Sequence, residues 1–167
     1  MNSVPVYDVS DTARWVAYFR ALESERPDAL FHDHLARRLA GTRGQEIAEG
    51  LPKGPLSWSI AIRTKAFDEL ILEAIATRGV RTVINLAAGL DVRPYRLALP
   101  ADLRWIEIDL PSLIRWKDQA LEGEPPTCRV ERISLDLADT RERQMLLSRL
   151  GTDGSRVLVV TEGLLVY

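Results

Sequence analysis

The chain has one cysteine, two histidines and no long apolar run, and each scarcity removes a class of function. A lone Cys128 excludes an internal disulfide, and its place in an apolar strand pattern predicts a packed core thiol rather than a nucleophile. His32 and His34 stand two apart on a helical pattern, so they point to different sides and cannot share a metal as an i, i+4 pair can. No metal site is expected. No stretch approaches the ~20 apolar residues needed to span a bilayer, and the start Met1-Asn-Ser-Val-Pro lacks the basic and apolar regions of a signal peptide. The expected location is the cytoplasm. The 22 basic residues are scattered among 24 acidic ones, for a net charge of -2. That balance leaves no footprint for nucleic acid or an anionic membrane, and neither is expected as a partner.

What is present is a core-forming chain of 167 residues, 46% of them hydrophobic, organised around the stretch from Arg81 to Leu97. Thr82 to Ala87 is an almost continuous apolar run with Val83, Ile84 and Leu86, the pattern of a strand buried on both faces of a parallel sheet. Ala88-Gly89 then supplies a turn at which backbone can lie bare against a ligand, beyond the carboxyl end of the strand. Three further strands are expected at Leu103–Asp109, Cys128–Leu135 and Arg156–Glu162, separated by helical patterns. This alternation predicts an α/β fold with a parallel sheet.

Ahead of the sheet, Asp11 is placed to cap a helix through Ser24 carrying Trp15, Tyr18, Phe19 and Leu22 at helical spacing. A second helix is expected from Pro27 to Ala40, closed by Gly41. Gly41 to Pro55 reads as a loop over the site, with a short helix at Gln45–Glu49. From Leu56 a strong helical pattern places Ile60, Phe67, Leu70, Ile71, Ala74 and Ile75 on one stripe and Lys65, Asp68, Glu69 and Glu73 away from it, ending at Gly79. Residues 1–55 thus form an N-terminal helical cap and loop, and 56–167 the sheet domain. Arg93–Leu99 is a short helix cut off by Pro100, and Pro111 opens another through Glu122. Asp139 caps the last helix in a capping box with Glu142, and Gly151 closes it. Trp105 reads as core.

Arg63 breaks the apolar stripe of its helix. That helix feeds the first strand through a short turn and so runs antiparallel to it. Arg63 to Ile75 spans about 18 Å at 1.5 Å per residue, which puts Arg63 over the Gly89 loop. It is either a snorkelling side chain at the helix end or a clamp for a carboxylate. Each strand also finishes in an acid. Asp91, Asp109, Asp136 and Glu162 gather along one edge of a parallel sheet, although any one of them alone would serve to cap the next helix. Gly89 and Asp109 are twenty residues apart, roughly the spacing that brings an acid onto a ribose hydroxyl. A dinucleotide site is disfavoured, because its pyrophosphate wants three glycines where this loop has Gly89, and Asp91 would repel a diphosphate.

The stretch Asn85-Leu-Ala-Ala-Gly-Leu-Asp-Val-Arg-Pro-Tyr-Arg-Leu97 resembles the cofactor loop of the leucine carboxyl methyltransferase family of S-adenosylmethionine-dependent O-methyltransferases. Asp91, Arg93, Tyr95 and Arg96 fall on its extended motif, while Ala87 stands where the family usually has Gly and its methyl narrows the approach to a ligand. Glu23 to Phe31, Arg63-Thr-Lys-Ala-Phe-Asp68, Glu107-Ile-Asp-Leu-Pro111, Ser134 to Asp139 and Thr161 to Tyr167 are similar to other family segments, so the likeness runs from about Glu23 to the end. It implies a Rossmann-like sheet in the order 3-2-1-4, four strands of an expected seven, and S-adenosylmethionine as cofactor. It further implies cofactor contacts from Arg63, Gly89, Asp109, Asp136, Leu137 and Glu162, with Arg63 on the methionine carboxylate. The acceptor would be a small molecule or a protein carboxylate.

The chain stops five residues after the fourth strand, and no general base can be named. Two readings follow. The chain is the cofactor-binding part of a carboxyl or hydroxyl O-methyltransferase, or a non-catalytic truncated remnant that binds cofactor weakly or acts only with a complementary C-terminal partner. An uncovered fourth strand would also invite self-association through its edge.

Overall fold

The computed structural model describes residues 8–51, 55–150 and 156–164. Pro52 to Gly54 of the expected loop, the helix stop Gly151 and the last three residues of the final motif lie outside them. Four strands, β1 (Thr82–Leu86), β2 (Arg104–Asp109), β3 (Arg129–Ser134) and β4 (Val157–Thr161), form one sheet in the order β3-β2-β1-β4. All three pairings are parallel, with Thr82 opposite both Arg104 and Val157. The expected class and order are therefore those of the structure.

Alternation along the strands builds a core on each face. Val83, Trp105 and Val160 pack with Ile71 and Ala74 of α3 (Pro55–Arg78) on one side. Ile84, Ile106 and Ile108 pack with Leu135 and with Leu146 of α6 (Thr140–Leu150) on the other. Burying each of these aliphatic side chains contributes about 1.5–3 kcal/mol, which fixes the register because a one-residue slip would exchange the faces. Between these in the chain lie the short α4 (Arg93–Arg96) and α5 (Pro111–Ala120), each with a proline in its first turn.

The N-terminal region departs from expectation. Helix α1 (Val9–Ser24) is capped by Asp8, whose side chain accepts from the Asp11 amide at 3.0 Å. Asp11 lies one turn inside and is held by Arg43 at 2.6 Å. No helix starts at Pro27. Asp33 is buried, and its carboxylate accepts from Leu35 N and from Arg20, a local hydrogen-bonding alternative to a helical turn. Helix α2 begins only at Ala36 and runs to Gly50, kinked rather than ended at Gly41, whose φ is 60°. The expected loop is thus helical through Gly50. Gly44 explains one of the glycines there, since a Cβ at that position would sit 2.6 Å from the Arg14 carbonyl oxygen of α1.

In α3 the buried set is Ile60, Ala61, Thr64, Asp68, Ile71 and Ala74, while Leu70 is 61% exposed. Asp68, expected outside, is inside because Arg93 and Arg96 both pair with it at 2.7 Å. The last helix has half of its capping box. Asp139 Oδ1 accepts from the Arg141 and Glu142 amides, but its own amide donates to the Asp136 carbonyl oxygen and not to Glu142. Cys128 is buried, and burial, aided by Glu107, pushes its thiol up to about 11. No helix among the described residues is long and apolar enough to cross a membrane.

Candidate functional site

At the carboxyl end of β1 the chain turns through two residues of positive φ, Ala87 at 52° and Gly89 at 54°. The turn is bolted to the neighbouring strand. Ala88 N donates to the Ile108 carbonyl oxygen at 3.3 Å, and Gly89 N donates to Asp109 Oδ2 at 2.6 Å. The other oxygen of Asp109 accepts from Leu110 N at 2.7 Å, so this acid joins the β1 loop to the start of α5. Above the turn is a cavity of about 450 Å³.

Arg63, Gly89, Asp109, Asp136, Leu137 and Glu162 all line this cavity. The four strands and α3 bring them together, as parallel pairing requires: every strand delivers its carboxyl end to the same edge. The roof is α1. Thr12, Ala13, Val16 and Arg20 face the cavity, and Arg20 donates to the Leu90 carbonyl oxygen at 2.5 Å while holding Asp33. No described residue from Gly41 to Leu51 lines it, so the segment expected as a cover packs instead against α1.

The acids divide by role. Asp91 lies at the cavity but is committed to the protein, accepting from Asn85 Nδ2 at 2.9 Å and from Arg93 Nη1 at 2.7 Å. Burial alone would push its carboxyl up, yet the charges of Arg93, Lys117 and Arg96 outweigh that and hold it well below the usual carboxylate range. Arg93 is the centre of the cluster. Its side chain is buried and pairs with Asp68 at 2.7 Å, Asp91 at 2.7 Å and Glu162 at 2.9 Å. Burial opposes its charge, but those three carboxylates raise its pKa above that of a free guanidinium. Glu162 also accepts from Arg63 Nε at 2.9 Å. Asp136 is exposed and accepts from Ala138 N at 2.9 Å.

In sequence Arg93, Asn85 and Thr64, which all line the cavity, stand out only as parts of motifs, and Arg20 does not stand out at all. Their signal is weak: a buried Arg is legible only through acids that lie far along the chain. A second buried cluster also escapes the sequence. Glu107 of β2 and Lys117 of α5 are fully buried and pair at 2.8 Å, and Arg132 of β3 joins the same carboxylate oxygen at 2.8 Å. It ties α5 and β3 to the sheet below the cavity floor.

Chemically, the cavity offers one half-exposed guanidinium and several carboxylates with spare lone pairs on a floor of backbone. That donor set fits a ligand with one carboxylate and several cationic or hydrogen-donating groups, the set borne by S-adenosylmethionine. It suits a diphosphate poorly, because the Gly89 amide is already taken by Asp109.

Comparison with known proteins agrees with this geometry. The model of the leucine carboxyl methyltransferase family matches residues 13–167. A protein of Mycobacteroides abscessus is 37% identical over 174 residues, covering 97% of this chain and 56% of its own length. One of Streptomyces coelicolor is 36% identical over 166 residues, covering 93% of this chain and 58% of its own. Both carry the provisional name of S-adenosyl-L-methionine-dependent methyltransferase. The chain spans little more than half the length of these relatives. With a match from α1 through β4 and relatives at this identity, the chain belongs to the leucine carboxyl methyltransferase family.

Proposed function

We propose that this chain is the cofactor-binding part of an S-adenosylmethionine-dependent O-methyltransferase that acts on a carboxyl or hydroxyl oxygen. The observation that carries the reading is the placement of Arg63 beside Asp109, Asp136 and Glu162 around one cavity at the sheet edge. Arg63 suits the methionine carboxylate, Glu162 the ammonium and sulfonium end, and Asp109 a ribose hydroxyl. When bound, the cofactor supplies an electrophilic methyl on sulfur. The chain's part is to orient that group and, with α1 as roof, to limit water around it. An oxygen acceptor, a small molecule or a protein carboxylate, is supported by the carboxyl named in the family's description. A cytoplasmic location goes with this reading.

Calorimetric titration with S-adenosylhomocysteine tests it. Arg63→Ala should weaken binding about tenfold or more, since a charge-assisted contact is worth roughly 1.5 to 3 kcal/mol. Asp109→Ala should weaken it through both the ribose and the loop it bolts down. Unchanged affinity in both variants would reject the assignment.

A second reading is a chain without turnover of its own, which binds cofactor weakly or works with a complementary C-terminal partner. It is favoured by the 56–58% coverage of relatives and by β4, which has a strand on one side only among the described residues. Methylation of any acceptor by the purified chain alone would dismiss it.

A further inference from the structure

Arg63 and Glu162 hold each other inside the cavity. Arg63 Nε donates to Glu162 Oε1 at 2.9 Å, with the Arg63 side chain 40% exposed. The other oxygen, Oε2, accepts from Arg93 Nη1 at 2.9 Å, and Arg93 is only 3% exposed. Arg93 is tied in turn to Asp68 from α3 and Asp91 from the β1 loop, both at 2.7 Å. The two oxygens of Glu162 therefore differ. One faces a long, half-exposed arm that can swing, and the other is anchored to a guanidinium that two further carboxylates hold in place.

We propose that the Arg63–Glu162 pair stands in for the zwitterionic end of the ligand. The two side chains part only for a group that carries both a carboxylate and an ammonium, and Arg93 is the positioning residue that keeps Glu162 in place when they do. The inference rests on the cofactor reading above and deepens it. Parting creates two needs at once, an anion for Arg63 and a cation for Glu162 Oε1. A ligand with only one of the charges satisfies one side chain and leaves the other a partner short in a partly desolvated site, Arg63 without its carboxylate or Glu162 with Arg93 alone, a penalty that offsets the new ion pair. With neither charge, a ligand leaves the pair closed. Recognition of the two groups is thus cooperative, the second adding far more than the first.

The test titrates the unaltered chain with four thioether nucleosides: S-adenosylhomocysteine, its decarboxylated and deaminated analogues, and methylthioadenosine, which lacks the amino-acid end. Each single-group analogue should bind within about threefold of methylthioadenosine, and S-adenosylhomocysteine on the order of a hundredfold tighter, as two charge-assisted hydrogen bonds made together allow. Equal increments for each group, whichever is added first, would overturn the inference while leaving the cofactor reading intact. Loss of binding by all four would overturn both.

Arg93→Lys keeps a charge but not the planar fork, and should weaken S-adenosylhomocysteine roughly tenfold while leaving methylthioadenosine within about twofold. Equal weakening of both would reduce Arg93 to structural support. Should this variant not fold, the four-ligand comparison still decides.

Discussion

Ala87 is alone among the described residues in combining a side chain with a positive φ. The left-handed region costs an L-residue roughly 1–2 kcal/mol, which glycine avoids at the expense of about 0.5–1 kcal/mol in chain entropy. Ala87→Gly should therefore raise the urea midpoint, with a gain in stability of up to about 1.5 kcal/mol by that difference. A lowered midpoint would mean that the methyl's packing outweighs the strain. The methyl of Ala87 is visible in sequence as a narrowing of a ligand's approach, and its backbone consequence is not. Single residues are legible where topology alone places them, as with the strand-end acids and Arg63. They are illegible where a charge is buried by a distant partner. Asp68 looks like a solvated face residue, and nothing near it in sequence announces Arg93, 25 positions on. Glu107 sits in an apolar strand for the same reason, answered by Lys117 and Arg132.

At the scale of elements, β1 and β4 are legible as largely apolar runs, β2 and β3 as charged and apolar residues interleaved between turns, and the sheet order follows from the family resemblance. The N-terminal helices are obscured by their glycines. Gly41 has the signature of a stop, but its conformation lets α2 bend and continue. The region after it looks loop-like because Gly44 is there for close approach, not for flexibility. Gly44→Ala should consequently destabilise the chain, by about 1–3 kcal/mol on the scale of an overpacked core, since the new methyl meets α1 backbone that cannot rotate away. Thermal unfolding would show it. An unchanged melting temperature would mean that α1 and α2 slide apart at little cost, and that the roof over the cavity is correspondingly loose.

For the molecule as a whole, the feature to test is the side of β4 that faces away from β1. Val157 to Thr161 carries no charge or proline, Val159 is 52% exposed, and β1 is its sole strand neighbour among the described residues. Such an edge is a template for another chain. We expect the purified chain to self-associate in sedimentation at concentrations on the order of tens of micromolar, and a stable monomer there would show the edge to be protected. The same strand bears on the order in which the cavity comes into being. Thr82 finds Arg104 nearby along the chain but finds Val157 only after β2, β3 and three helices have intervened. Longer loops close at greater entropic cost, so β4 should dock last and open most readily. Its tip carries Glu162, the acid shared by Arg63 and Arg93. Amide protons of β4 should therefore exchange with deuterium faster than those of β3, also an edge strand, and a bound nucleoside should slow β4 more than β3. In this molecule, occupancy and the final step of folding would be read out by the same five residues.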